Sequence, residues 1–437
     1  MYLRRMLSVI LPLALICALL TPAAQARETS FFDAFPEPVP QEVQTWTPAD
    51  TTGFDGILSS LEQAIQQEDN EEEVLELSME LLYTYQTMNQ AYTFCMLDYY
   101  RDPAAYADAF SAWGSAVNYA GSAMLSGLQD VMTSGYGPAL TNLLGMDYAV
   151  SLLNARPDTP EQLALLEEES SLVSRYWTAV TEDYQVEVNG ALWRADDLEA
   201  DSTLSEEERL EVRTALSQAR NAAAALILLQ LVELRNEYAA SKGYDSYADY
   251  AYEAIYGRDY TPEEATALHT AVKEQIVPLE QALALVQALD PELNPEAPTV
   301  LSGLSQEEML DAAEPYLTEI SDEYAAVYDY MRTCDLCDIG PLETKLGVGF
   351  TTDLPLYRSA YMFNAPSGTY WDVETLIHEF GHYANYCLVS SPSVCYDVSE
   401  IHSQGLEALF LAFADGLAGE EGGDAYRAVV VSNLLAS

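Results

Sequence analysis

His378-Glu379-Phe380-Gly381-His382 is the stretch whose residue types and spacing could do chemistry. On a helix, residues four apart lie about 40° from each other around the axis, so both imidazoles share one face and can reach one metal ion. Glu379 falls on an adjoining face, positioned to act as a base toward a water at the metal rather than to bind the metal. The chain holds only four histidines, and three of them, His378, His382 and His402, fall within 25 residues of one another. That clustering weighs against two ordinary surface or core histidines.

A catalytic zinc takes three protein ligands and keeps one open position. The third ligand should come from downstream, where Asp397-Val398-Ser399-Glu400-Ile401-His402-Ser403-Gln404-Gly405-Leu406-Glu407 offers Glu400, His402 and Glu407. This stretch also reads as a helix, so an antiparallel helix pair could close the site. Glu400, Gln404 and Glu407 share a face, because seven residues make nearly two full turns. One glutamate could bind the metal while another orients a ligand histidine. His402 sits about 200° from Glu400 around such a helix, so the two cannot easily both bind one metal, and His402 is instead a group supporting a ligand, a substrate-side group or a buried hydrogen-bonded histidine. Spacing alone leaves Glu400 and Glu407 open.

The elements that must position these residues are mostly helical. Val373, Leu376, Ile377 and Phe380 form an apolar stripe behind the motif. From about 55 to 134 the pattern is helical, with Val74, Leu75, Leu77, Leu81, Leu82, Tyr85, Met88, Tyr92 and Phe94 recurring near the 3.6 period. Capping boxes open later helices at Thr159…Gln162, Ser205…Glu208, Thr261…Glu264 and Ser305…Glu308. In two of them Pro160 and Pro262 occupy the first helical position. A helix from 205 should stop at Gly243, which can adopt the left-handed terminal conformation. Strands are expected at 185–188 and 191–194 around the turn pair Asn189-Gly190, and within 346–365 just before the motif.

The sequence has 437 residues, 70 Asp+Glu against 18 Lys+Arg, and a formal net charge of −52. Nucleic acid and anionic membrane surfaces would be repelled. The 49% apolar fraction and 11% aromatics rule out a disordered acidic tail. Arg4 and Arg5, the apolar run Leu7–Leu20 and the small-x-small site Ala24-Gln25-Ala26 read as a secretory signal over 1–26. No second long apolar segment is expected, so the exported chain should not stay inserted in a membrane. Export makes disulfides possible, yet Cys95, Cys334, Cys337, Cys387 and Cys395 are an odd set. Cys334-Asp335-Leu336-Cys337 could be a disulfide, a redox pair or half a zinc site; without a second such pair, a structural disulfide or buried thiols is the reading.

Thr375-Leu376-Ile377-His378-Glu379-Phe380-Gly381-His382 followed by Glu400-Ile401-His402-Ser403 resembles the thimet oligopeptidase / oligoendopeptidase F family of zinc metallopeptidases. Arg235-Asn236-Glu237-Tyr238-Ala239, Gly243-Tyr244-Asp245-Ser246-Tyr247 and Arg258-Asp259-Tyr260-Thr261-Pro262 are similar to that family's helical segment before the catalytic region, and the Asn189-Gly190 hairpin has a counterpart in the oligoendopeptidase branch. The resemblance covers roughly 185–410. It implies a mainly α, two-lobed shell around a deep channel with a small sheet near the metal. It implies a zinc endopeptidase restricted to short peptides, with one Zn2+ per chain. It makes Glu400 the third ligand beside His378 and His382, Glu379 the base, and Glu407 a supporting group, with His402 and Gln404 as further candidates. Other divalent metals could occupy such a site. The chain then divides into a leader (1–26), an arm (27–53), an N-terminal helical domain (54–200) and a catalytic domain (201–437).

The family continues well over a hundred residues past the second motif, with tyrosine and histidine side chains that hold substrate and oxyanion. Here 30 residues follow Glu407, with no histidine and only Tyr426 among tyrosines. The expectation is a C-terminally truncated chain with an intact metal site and an incomplete cleft. Two other classes fit the same sequence: a zinc- or peptide-binding relative without turnover, and an extracellular helical interaction protein in which the motif is incidental.

Overall fold

A computed structural model describes residues 44–436 except 202, 290–301 and 390–394. The leader expected at 1–26 and the first part of the arm lie outside the described residues.

The fold is mainly helical, as the residue pattern requires. Helices α1 (Thr52–Ala64), α2 (Glu71–Arg101) and α3 (Pro103–Thr133) fill the region of expected helical period. α4 (Gly137–Leu144), α5 (Met146–Asn154) and α6 (Pro160–Thr181) follow. Strands β1 (Val186–Val188) and β2 (Ala191–Trp193) pair antiparallel, Val188 opposite Ala191. Asn189 (φ 53°) and Gly190 (φ 79°) both take the left-handed conformation that a type I′ turn demands. After α7 (Ala195–Ala200) comes α8 (Glu206–Lys242), and Gly243 at φ 93° ends it as expected. Then come α9 (Tyr247–Tyr250), a π turn over Ala251–Ile255, α10 (Pro262–Ala271), a second π turn and α11 (Val277–Leu289).

All four capping boxes form. In each, the Ser or Thr hydroxyl accepts from the backbone N–H three residues on while the Gln or Glu side chain accepts from the cap N–H. Such caps stabilise by about 0.5–2 kcal/mol each, which fixes where these helices begin.

Helices α12 (Gln306–Ile320) and α13 (Asp322–Thr333) lead into a three-stranded sheet of β3 (Cys337–Asp338), β4 (Gly349–Leu354) and β5 (Ser359–Asn364). The spatial order is β3-β5-β4; β3 runs parallel to β5, and β4 runs antiparallel to it with Thr351 opposite Met362. The chain closes with α14 (Trp371–Leu388), α15 (Tyr396–Phe410) and α16 (Ala414–Ala436).

One large core joins these parts, running from Phe54 to Val430. Tyr100 of α2 packs on Phe350 and Phe363 of the sheet at ring separations of 5.0 and 6.1 Å, and its carbonyl accepts from the Leu346 N–H at 2.9 Å. Below them Lys345 is buried. Its ammonium reaches Asp338 Oδ1 at 2.6 Å and the carbonyls of Gly340 and Asn364 at 2.7 and 3.1 Å. Arg101 bonds the other oxygen of Asp338 at 2.5 Å and so ties α2 to β3.

One open alternative is decided and one expectation is overturned. Cys95, Cys334, Cys337, Cys387 and Cys395 are thiols, so the 334–337 pair forms no disulfide; burial pushes the Cys337 thiol up to about 12. A second long apolar segment does exist, since α8 is long and apolar enough by composition to cross a membrane. It packs on α6 through Leu231 and Leu234 against Leu172 and Val173, and leaves Leu226 and Leu229 exposed at 69% and 63%.

Candidate metal centre

The orientation of α14 is set by what it buries. Val373, Leu376, Ile377, Phe380, Tyr383 and Ala384 are all at 0% exposure. Each such large side chain is worth about 1.5–3 kcal/mol on burial, so the helix cannot rotate without losing more than any single polar contact returns. Phe380 sits edge-on to Tyr328 and Tyr324 at 5.2 and 5.8 Å, directly behind the motif. At the helix start the Asp372 carboxylate accepts from the backbone N–H groups of Ser367, Gly368 and Thr369 at 2.6, 2.8 and 3.1 Å. The opposite face presents His378 and His382, ring centroids 5.1 Å apart.

α15 crosses this face. Gly381 makes the crossing possible: a Cβ there would lie 2.7 Å from the His402 carbonyl oxygen and 2.7 Å from Ser403 Cα. The Glu400 carboxylate therefore reaches both imidazoles, with Oε2 3.5 Å from His378 Nε2 and Oε1 3.7 Å from His382 Nε2. Among the described residues, His378, His382 and Glu400 form the group of donors able to hold a metal ion, all within 4.8 Å of one another. This two-nitrogen, one-oxygen set is the donor chemistry that zinc takes, with the carboxylate within 3.7 Å of both imidazoles.

The supporting groups are equally specific. Glu407 Oε1 bonds Nδ1 of His378, which leaves Nε2 facing Glu400. Ser399 Oγ lies 3.4 Å from Nδ1 of His382, and Ser403 donates to Glu400 Oε2 at 3.0 Å. Glu379 is buried, and the Thr351 hydroxyl on β4 sits 2.8 Å from its Oε2 and 3.0 Å from its carbonyl oxygen.

Electrostatics favour a cation here. Burial alone would lower His378, but the Glu407 bond and the charges of Glu379, Glu407 and Glu400 outweigh it and lift the group to about 9. Burial, with the charges of His378 and His402, pushes His382 down to about 3. Burial raises Glu379 to about 7 and Glu374, beside Glu407, to about 8. A divalent ion would supply the positive charge that a proton on His378 otherwise provides.

The structure thus brings together His378, Glu379, His382, Glu400 and Glu407. His402 and Gln404 are exposed on α15, and His402 stands near enough to His382 to weigh on its charge. Sequence reasoning passed over Thr351, Ser399, Ser403 and Gly381. The glycine inside the motif carried a readable signal, since a helical glycine often marks close approach of another backbone.

No family model and no curated protein matches this sequence. Solved structures do match. A protein from Bacillus anthracis str. Ames described as a candidate oligoendopeptidase F superposes with a TM-score of 0.69 at 18% identity, covering 89% of this chain and 76% of that one. The chain has the oligoendopeptidase F fold. A second protein described as a candidate oligoendopeptidase F matches with a TM-score of 0.65 at 20% identity, over 90% of this chain and 73% of that chain. PZ peptidase A with an inhibitor gives 0.63 at 19%, over 93% and 74%. The oligoendopeptidase F fold accounts for the mainly helical body and the small sheet beside the motif helix.

Proposed function

We propose that the protein is an exported zinc endopeptidase of short peptides. The observation that carries this reading is the convergence of the His378 and His382 imidazoles and the Glu400 carboxylate beside a buried Glu379. Proteins of the same fold are described as oligoendopeptidases and as PZ peptidase, which agrees with peptide hydrolysis. Restriction to short peptides rests on the channel that the family resemblance implies. Export rests on the residue pattern of 1–26.

Zinc held by His378, His382 and Glu400 would polarise the attacking water and the scissile carbonyl. Glu379 accepts a proton from that water as its oxygen bonds the carbonyl carbon. It then delivers the proton to the departing amine nitrogen as the C–N bond breaks. The Thr351 hydroxyl holds Oε2 of Glu379 and leaves the other oxygen for the proton. Glu407 keeps His378 in the tautomer with Nε2 unprotonated toward the metal.

The test is Glu379→Gln in the purified chain, with zinc content and cleavage of short fluorogenic peptides measured together. The expected result is full zinc occupancy with cleavage lost, and cleavage by the unaltered chain abolished by a chelator. Cleavage that survives both the substitution and the chelator overturns the reading. Zinc without cleavage in the unaltered chain would make it a binding relative.

A further inference from the structure

Outside the donor set, the N-terminal turn of α15 is held by an unusually complete contact. Asp397 is the second residue of that helix and lies three residues before Glu400. The Arg258 guanidinium, from the loop between the first π turn and α10, bonds both its carboxylate oxygens, Nε to Oδ2 and Nη2 to Oδ1, each at 2.9 Å. Tyr260 donates its hydroxyl to the same Oδ2. The guanidinium carbon lies 4.3, 4.9 and 5.8 Å from the ring centroids of Tyr252, Tyr256 and Tyr260. The Tyr396 N–H donates to the Tyr256 carbonyl at 2.9 Å, and the two rings meet edge-on at 5.7 Å. The Tyr396 side chain stands near enough to the Glu400 carboxylate that burial and that charge together raise its phenol.

A lone ion pair at a surface does little, because water competes for both charges. This pair differs in three ways. It is bidentate and planar, which fixes direction as well as distance. Its guanidinium is stacked among aromatic rings, which limits the swing of the arginine. A second donor on the same carboxylate removes the remaining freedom of Asp397. The far half of α15 is already fixed by Glu407 against His378 and by the close approach at Gly381. The near half, which carries Glu400, is held by Ser403 on its carboxylate and, at its N-terminal turn, by this clamp from a segment 139 residues earlier in the chain.

We infer that Arg258 is a positioning residue for the metal centre: with Tyr260 it clamps Asp397, and through the turn so fixed it sets Tyr396 and the Glu400 carboxylate opposite His378 and His382. The inference rests on the zinc reading of those three donors. Zinc affinity should depend on the clamp, since a carboxylate that must be ordered on binding lowers the affinity it confers.

The experiment measures the zinc dissociation constant of the full chain by competition with a chromogenic chelator, for Arg258→Gln, Asp397→Asn and the double variant. Each single variant should bind zinc about ten- to hundredfold more weakly, as supporting groups around metal ligands typically do. The double variant should lose no more than either single, because both remove one contact. Arg258→Lys should recover only part of the affinity, as an ammonium cannot bond both oxygens in one plane. Circular dichroism and the metal-free unfolding midpoint establish which variants are folded; if Arg258→Gln is not, Asp397→Asn and Tyr260→Phe carry the test. A folded variant of either pair member with a dissociation constant within twofold of the unaltered chain overturns the inference, as does an additive loss in the double. Glu400→Gln is the control: if it binds zinc as tightly as the unaltered chain, the donor assignment itself fails, whereas loss in Glu400→Gln with none in the Arg258 and Asp397 variants removes the positioning role alone.

Discussion

Thr351 and Glu379 are joined across the sheet–helix boundary: the threonine hydroxyl on β4 lies 2.8 Å from Oε2 of the motif glutamate on α14. The bond links the small sheet to the chemistry, since it gives the buried carboxylate a fixed donor. Thr351→Val keeps the shape and removes the donor. A buried acceptor left without its donor costs about 1–3 kcal/mol. The expected result is about a tenfold fall in kcat for a short peptide with zinc content unchanged, and near-full activity in Thr351→Ser.

Gly381→Ala tests the helix crossing. The added Cβ would meet the His402 carbonyl and Ser403 Cα at 2.7 Å, both parts of a backbone that cannot turn aside. Forced overpacking of this kind costs about 1–3 kcal/mol. Because the displaced helix carries Glu400, zinc affinity should fall together with the denaturation midpoint. A variant as stable as the unaltered chain, with zinc binding intact, would contradict the crossing described above.

Lys345→Met tests the buried ion pair. The Lys345 side chain is 2% exposed, and its removal leaves Asp338 facing Arg101 alone and takes a donor from the carbonyls of Asp338, Gly340 and Asn364. Removing one partner of such a pair costs about 3–5 kcal/mol. Urea denaturation of the metal-free chain should show a loss of that order.

Asp353 on β4 gives a pH signature. Burial raises its carboxyl from 3.8 to about 6. The folded chain therefore holds a proton there that the unfolded chain releases, so its contribution is present in full below pH 3.8 and is lost as pH rises through about 6. Asp353→Asn removes this dependence. The stability of Asp353→Asn relative to the unaltered chain should rise between pH 4 and 7 and level off above; a difference that is flat across this range would show an unshifted group.

Features set by local chemistry were legible in the residues. The capping boxes at Thr159, Ser205, Thr261 and Ser305, the Asn189-Gly190 turn and the Gly243 stop each depend on a few neighbouring positions, and all formed. The His378/His382 pair is of the same kind, because helix geometry alone brings it to one face. The grip of Thr351 on Glu379 spans 28 residues, and that of Arg258 on Asp397 spans 139. Such contacts depend on how strands and helices are finally stacked, which no short window encodes. For Cys334 and Cys337 the spacing left a disulfide and buried thiols both open, and the turn and strand around them keep thiols.

The contact of Tyr100 with Phe350 and Phe363 carries a consequence for anyone who would cut this molecule down. The sheet that holds Thr351 is floored by a helix from the first quarter of the chain. A fragment that begins after α2 would show a bare aromatic surface to water and an Asp338 without its arginine. The metal motif is thus not a portable cassette: its scaffold is woven from α2 as well as from the strands and helices around the motif, and transplanting it means carrying α2 along.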